Sequence, residues 1–343
     1  MSKHRFSYKW NLSDGYPQSN GLKVFGTFIC GGGSTMGYKL AGFEHLGGVE
    51  IDPEVADVYK TNHNPKYLFV EDIRDFADRL KFPEDLYNLD ILDGSPPCSS
   101  FSMAGNREKD WGKTKVFREG QAEQRLDDLF FDYIRLAKKL QPKVVIAENV
   151  KGLIQGNAKV YVHRIKKEFE AAGYKVQLFL LNAASMGVPQ KRERVFFICQ
   201  RNDLNLPNLE LKFNEEAIPF RNFEQTIGNE PKLTKDQLYW WNLCPKGNSF
   251  SKVHPKGFWF NAYKLDWNDT FPTLTATGGN AEPFHPEIPR KINSIEYCIG
   301  GTYPLDYNFK KIEPKYLIGM SVPPVMTAQI ATEIYNQWFI KTA

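Results

Sequence analysis

Short apolar runs alternate with helix-like stretches over the first 200 residues, and this alternation limits the possible folds more than any other feature. The runs are Leu22–Ile29, Leu46–Ile51, Tyr67–Val70, Leu89–Leu92, Val144–Ala147, Val176–Leu181 and Val195–Cys199. Their β-branched and aromatic content reads as buried strands. Between them lie helical patterns: a short one ending near Ala41, then Val55–Thr61, Leu126–Leu140 stopped by Pro142, and Val160–Ala172 closed by Gly173. Strands separated by helices of this length need crossover connections, which predicts a parallel sheet covered by helices. After about residue 200 prolines, asparagines and aromatics rise and the helical period fades. It returns in Val325–Phe339, behind Pro323-Pro324. The expected architecture is an α/β domain over 1–200, completed by 313–343, with a smaller, mostly irregular or β domain over 201–312. Residues 1–20 read as an arm.

Composition narrows the class. The chain has 343 residues and a formal net charge of +4, which permits a polyanionic partner without requiring one. Its five cysteines, Cys30, Cys98, Cys199, Cys244 and Cys298, are widely spaced and form no CxxC pair. That argues against a disulfide framework and a zinc site, with no metal expected, and suits a reducing compartment. No signal-peptide core and no membrane-length apolar run is present, so a cytoplasmic, nucleoid-associated protein is expected.

Three places carry candidate chemistry. Asp93-Gly94-Ser95-Pro96-Pro97-Cys98 follows a strand, and the two prolines fix φ and remove two backbone donors. Cys98 on that stiff platform reads as a nucleophile or as a small buried hydrophobe. Cys30-Gly31-Gly32-Gly33-Ser34-Thr35-Met36-Gly37 follows the first strand, and the second strand ends at Glu50. A strand, a glycine turn, a helix and an acid at the next strand end suit a nucleotide, with Glu50 accepting from ribose hydroxyls. The spacing departs from GxGxxG, which weakens a dinucleotide reading and leaves an adenosine-type ligand open, from whose amino group Asp72 could accept. Glu148 closes another strand, and a thiol and a carboxylate at one sheet edge suit addition to a ring that must be protonated as it is attacked. In Gln190-Lys191-Arg192-Glu193-Arg194, a strand would place Arg192 and Arg194 on one face, toward a carbonyl or phosphate oxygen.

Taken together these residues resemble the cytosine-C5 DNA methyltransferases over nearly the whole chain. Pro96-Pro97-Cys98, Glu148-Asn149-Val150, Gln190-x-Arg192-x-Arg194, the Phe28–Gly37 loop and Gly319-x-Ser321-Val322-Pro323 look like five of that family's motifs, in order. The resemblance implies a Rossmann-like, S-adenosylmethionine-dependent methyltransferase domain with a target-recognition domain. It implies that Cys98 attacks C6 of a flipped cytosine, Glu148 holds and protonates N3, Arg194 contacts O2 and Arg192 supports the site. S-adenosylmethionine would lie along Phe28, Gly31, Gly33, Glu50, Ile51, Asp72, Ile73, Pro96, Leu129 and Ser321. Cys30, Met320 and Ser99 stand where the family usually has Gly, Asn and Gln. The implied protein is a monomer acting on duplex DNA, beside a restriction endonuclease or as a solitary or phage-borne enzyme. The alternatives are the same chemistry on tRNA and a nucleic-acid-binding regulator without turnover.

Two stretches suit the nucleic acid. Met103–Arg125 holds six basic residues, Arg107, Lys109, Lys113, Lys115, Arg118 and Arg125, and reads as a loop closing over phosphates. Lys232–Lys264 holds six lysines against one acid, Asp236, interleaved with aromatics that must serve either as core or as nucleic-acid surface. Arg290, Glu296, Tyr303 and Pro304 resemble the motif that organises the recognition region.

Overall fold

The computed structural model describes residues 4–97, 114–115, 124–125, 128–228, 232–276 and 282–340. Cys98, Ser99 and nearly all of the basic stretch 103–125 lie outside them. The chain forms two compact units. One comprises Pro17–Leu181, Glu193–Leu211 and Ile330–Ala343, and the other Met1–Tyr16, Asn182–Arg192 and Lys212–Gln329.

The first unit carries a seven-stranded sheet. Its strands are β1 (Lys23–Thr27), β2 (Glu44–Glu50), β3 (Tyr67–Val70), β4 (Ile91–Gly94), β7 (Val144–Val150), β8 (Tyr174–Asn182) and β9 (Glu193–Arg201), in the order β3-β2-β1-β4-β7-β9-β8. The two-residue strands β5 (Thr114–Lys115) and β6 (Gln124–Arg125) pair antiparallel outside it. Pairs β1/β2, β2/β3, β1/β4 and β4/β7 are parallel, as the alternation predicts. The expectation of a wholly parallel sheet fails at β9, which runs antiparallel to β7 from Val144↔Gln200 to Val150↔Arg194. The reason is local: β8 and β9 are joined without a crossover helix, only by the short segment 183–192. The helices are α1 (Gly33–Leu40), α2 (Pro53–His63), α3 (Ile73–Asp78), α4 (Leu129–Leu140) and α5 (Lys159–Ala171).

Helix starts in this unit are written in the sequence. Asp52 caps α2 by accepting from Glu54 N at 2.9 Å and Val55 N at 3.3 Å, with Pro53 at the first helical position. Asp72 caps α3 by accepting from Arg74 N at 2.8 Å. One core joins Phe25, Leu92, Val145 and Phe197 of the strands to Phe76, Phe130, Tyr133 and Phe169 of α3, α4 and α5. Burial of such aromatic side chains is the main stabilising term of the unit.

The strand order reverses at β1/β4, where Thr27 pairs with Gly94. In an open sheet this switch point leaves a crevice beyond the carboxyl ends of the strands. The glycine loop leaves β1 there and the proline platform leaves β4 beside it.

The second unit has no long strand among its described residues. The two-residue strands β10 (Asn248–Ser249), β11 (Tyr263–Lys264) and β12 (Pro283–Phe284) form its sheet, beside α6 (Lys235–Leu243), α7 (Ser294–Gly300) and α8 (Pro314–Met320). The predicted C-terminal helix is α9 (Pro324–Ile334), continued by one π-helical turn at Tyr335–Phe339. The N-terminal segment is not a loose arm from His4 onward. Trp10 is buried with its indole N–H donating to Thr302 O at 2.9 Å, and Leu12 N and Ser13 N donate to the Asp306 carboxylate at 2.6 and 3.0 Å.

Candidate active site

The crevice is built by backbone geometry first. Phe28, Cys30 and Gly32 all have positive φ, at 54°, 47° and 77°. The turn from β1 into α1 therefore needs three left-handed residues, and only the third is glycine. At Gly32 no side chain fits: a Cβ there would lie 2.3 Å from His63 Nε2. Glu50 holds the loop from β2, its carboxylate accepting from Cys30 N at 2.9 Å and Asp52 N at 3.0 Å. Burial raises its pKa above the ordinary carboxylate value, and the backbone donors of Asp52 and Cys30 oppose that rise. Each Glu50 oxygen has taken one N–H, so acceptor capacity is left for a diol. Asp72 keeps similar capacity beside its helix-capping bond. This set of acceptors fits the ribose hydroxyls and adenine amino group of S-adenosylmethionine.

The other expected cofactor contacts are placed as follows. Gly31 and Gly33 span the turn into α1, and Ile51 follows Glu50 with its side chain partly exposed. Ile73 and Leu129 open α3 and α4 with side chains in the core. Pro96 lies on the platform after β4. Ser321 belongs to the other unit, buried, with its hydroxyl 2.6 Å from Tyr303 OH.

Glu148 sits inside β7, not at its end, one residue past the Gly94↔Ala147 pair that closes β4. Its side chain therefore emerges at the edge from which the platform departs. Arg194 in β9 donates from Nε to Glu148 Oε1 at 2.9 Å and from Nη1 to Glu193 O at 2.8 Å. Both side chains are largely buried. Burial lowers the guanidinium pKa, while the Glu148 charge and hydrogen bond hold it up. An aligned carboxylate and a planar donor array at one edge can read two adjacent positions of a heterocycle.

Arg192 corrects the expectation that the two arginines share a strand face. It precedes β9 and belongs to the second unit, buried, donating to Leu274 O and Gly319 O, both at 3.1 Å. Gln190 lies in the same segment and takes Leu274 N at 2.9 Å and gives to Gly300 O at 3.1 Å. These side chains hold backbone that has no long strand to pair with. Arg290 and Glu296 form a bidentate buried pair at 2.7 and 2.8 Å, and Asn293 caps α7 by accepting from Glu296 N at 3.0 Å.

Four residues at the crevice carry structure that the sequence did not reveal. Asn149 Nδ2 donates to Pro96 O at 3.0 Å, tying β7 to the platform. Tyr133 of α4 donates to Leu92 O at 2.9 Å and Ile146 O at 2.7 Å, stitching β4 to β7. A Cβ on Gly94 would lie 2.7 Å from the Tyr133 ring. Asp93 accepts from Tyr38 OH of α1 at 2.9 Å. Burial, helped by the Glu148 charge, pushes its pKa up to about 7 against the hydrogen bonds from Tyr38 and Ser34. His63 Nε2 lies 3.3 Å from Gly31 O, and burial followed by the Lys39 charge lowers its pKa to about 3. The neutral ring donates to the loop carbonyl. Asn149 and Asp93 stand in stretches that the sequence singles out, without these contacts being readable there. Tyr133 falls within the Leu126–Leu140 helical pattern, and His63 lies just past the Val55–Thr61 pattern with no signal of its own.

Known proteins place these features. A profile of the C-5 cytosine-specific DNA methylase family matches residues 22–336. The type II methyltransferase M.NgoPII of Neisseria gonorrhoeae is 34% identical over 291 residues, 79% of this chain and 76% of that protein. M.FnuDI of Fusobacterium nucleatum is 39% identical over 192 residues, 56% of this chain, and the match spans about half (51%) of that protein. In fold, the chain is similar to a putative DNA modification methyltransferase encoded within an Escherichia coli prophage, with TM-score 0.70, 19% identity and 92% and 99% of the two chains covered. Spodoptera frugiperda DNMT2 follows at TM-score 0.64 and 17% identity, with the same coverage of 92% and 99%. Among the described residues no helix is long and apolar enough to cross a membrane. With its mostly parallel sheet, glycine loop and Glu148–Arg194 pair, and with a family match over residues 22–336, the chain belongs to the C-5 cytosine-specific DNA methylase family, a family of methyltransferase enzymes.

Proposed function

We propose that the chain transfers a methyl group from S-adenosylmethionine to C5 of a cytosine in duplex DNA, at a defined sequence. The observation that carries this reading is the Glu148–Arg194 ion pair at 2.9 Å, beside a platform that Asn149 anchors at Pro96. It is the arrangement a pyrimidine needs when N3 and O2 must be held together. When bound, S-adenosylmethionine supplies an electrophilic methyl group.

The chain's own residues prepare the base. Cytosine C5 is a poor nucleophile until the ring loses its aromaticity. Cys98 Sγ, as thiolate, forms a bond to C6, and the ring electrons move toward N3. Glu148 holds N3 and is the proton donor there, so that C5 becomes the nucleophilic end of an enamine. Arg194 holds O2 and keeps the Glu148 carboxyl oriented. Once C5 carries the new carbon, a water molecule takes the C5 proton and the electrons re-form the C5–C6 double bond. The C6–S bond breaks to free Cys98 as thiolate, and N3 returns its proton to Glu148. A stacked base cannot meet this constellation, so the target leaves the duplex first. Phe28, Gly31, Gly33, Glu50, Ile51, Asp72, Ile73, Pro96, Leu129 and Ser321 are the proposed cofactor contacts, with Arg192 bracing backbone. The relatives' type II names support a role beside a restriction endonuclease, and the reading is of a monomeric, cytoplasmic, nucleoid-associated enzyme.

Transfer of tritiated methyl groups to duplex DNA and to tRNA tests the substrate. Label in duplex DNA that is lost in Cys98→Ser is expected. Label in tRNA with none in DNA contradicts the reading.

A further inference from the structure

The segment His254–Phe260 presents its rings in an order that a folding core does not require. Trp259 has φ 67°, in the left-handed region where a bulky residue is strained. Its ring lies stacked on Phe250 at 6.2 Å, against the buried cluster of Trp241, Cys244, Phe250, Ala262 and Phe284. With the middle residue turned inward, its neighbours point out: Phe258 is 58% exposed and Phe260 69%. Burying either would stabilise the unit, so their exposure has a cost the fold does not explain. Strain of this kind collects where the backbone must present something.

The presentation is rigid. Gly257 N donates to His254 O at 2.9 Å, Lys256 N donates to His254 Nδ1 at 3.2 Å, and Ser249 Oγ donates to Phe260 O at 2.6 Å. The aromatic surface continues through His254, 5.2 Å from the Phe258 ring, to Trp240 at 4.7 Å and Tyr239 at 4.8 Å. The segment's own charge has one sign. Lys252 and Lys256 are exposed, and no acid occurs between Asp236 and Asp266. Lys264, by contrast, is core: it donates to Trp241 O at 3.0 Å and lies 3.9 Å over the Trp241 ring. Exposed phenyl rings framed by lysines match a polyanion with flat apolar faces inside it. A second copy of the chain would bring lysine against lysine.

We propose that Phe258 and Phe260 form a wedge that stacks on a base of duplex DNA whose partner has left the helix, with Lys252 and Lys256 on the flanking phosphates. The proposal rests on the duplex-DNA reading above and adds what fills the gap. Wedges of this chemistry unstack a base step and hold it open. They favour DNA in which the opening has already been made.

Fluorescence anisotropy with a fully paired duplex and the same duplex carrying one unpaired base tests it. The wild-type protein is expected to bind the unpaired-base duplex about tenfold more tightly. The F258A/F260A double variant is expected to lose that preference at an unchanged melting temperature, and F258Y/F260Y to restore it. K252Q/K256Q is expected to weaken both complexes alike and flatten the salt dependence by about one to two units of slope. A double alanine variant that keeps the preference overturns the wedge. So does a variant that changes self-association and leaves DNA binding untouched. Wild-type protein that binds neither duplex overturns the duplex-DNA reading and the wedge with it, whereas binding and methylation with no preference overturns the wedge alone.

Discussion

The two units satisfy their backbone by different means. In the sheet unit, seven strands pair with one another, and the polar side chains at the crevice are left to place a few functional groups. In the other unit the described strands are two residues long, and buried side chains add to the backbone pairing of its short strands and turns. Arg192 serves Leu274 and Gly319, Gln190 serves Gly300, Lys264 serves Trp241, and the Trp241 indole donates to His285 O at 2.8 Å. A candidate side chain at the crevice of the first unit, such as Glu148, can be lost with the fold intact. A buried polar side chain in the second takes backbone partners with it.

Substitutions can break that comparison. The largest effect is expected at Glu148→Gln, where single-turnover methyl transfer should fall by about 10³-fold with the melting temperature nearly kept. Next is Arg290→Ala in the second unit. It leaves Glu296 buried without its guanidinium partner, and chemical denaturation should show a loss of about 3–5 kcal/mol. If Glu148→Gln unfolds the chain and Arg290→Ala does not, the contrast between the units is wrong.

Gly32→Ala sharpens it within the sheet unit. A methyl group at φ 77° and 2.3 Å from His63 Nε2 must displace the loop. Stability should drop by about 2 kcal/mol, and calorimetric titration should show weaker binding of S-adenosylhomocysteine.

Asp93→Asn is expected to have the smallest effect, and only in part of the pH range. The folded carboxyl titrates near 7, well above an unfolded aspartate near 3.8. Between those values the unfolded state has lost a proton that the native state retains, so wild-type stability falls as pH rises through this window. The amide of the variant has no such proton to lose. Its melting temperature should therefore decline less between pH 4 and 7 than that of the wild type. Equal slopes in the two proteins would place the Asp93 pKa at an ordinary value.

The same contrast explains what was legible in the sequence. β1 to β4 and β7 are legible as short apolar runs, and Glu50, Asp72 and Glu148 stand at or just after the ends of such runs. The antiparallel β9 was not anticipated, because an apolar strand carries no mark of direction. Arg192 and Arg194 are two residues apart and are expected on one strand face, but the strand begins between them at Glu193. In the second unit composition named the aromatic and basic residues without sorting them. Only the coordinates separate buried Trp241 and Phe250 from exposed Phe258 and Phe260, because that depends on the left-handed turn at Trp259.

The central claim is that Cys98 attacks a cytosine which Glu148 and Arg194 hold. Incubation with duplex DNA containing 5-fluorocytosine and S-adenosylmethionine tests it most directly, because fluorine at C5 prevents the loss that frees the sulfur. A protein–DNA complex that survives denaturing electrophoresis, with Cys98 as the modified residue by mass spectrometry and no complex from Cys98→Ser, is the expected result. An active enzyme that forms no such complex, or one attached through another residue, would contradict the account.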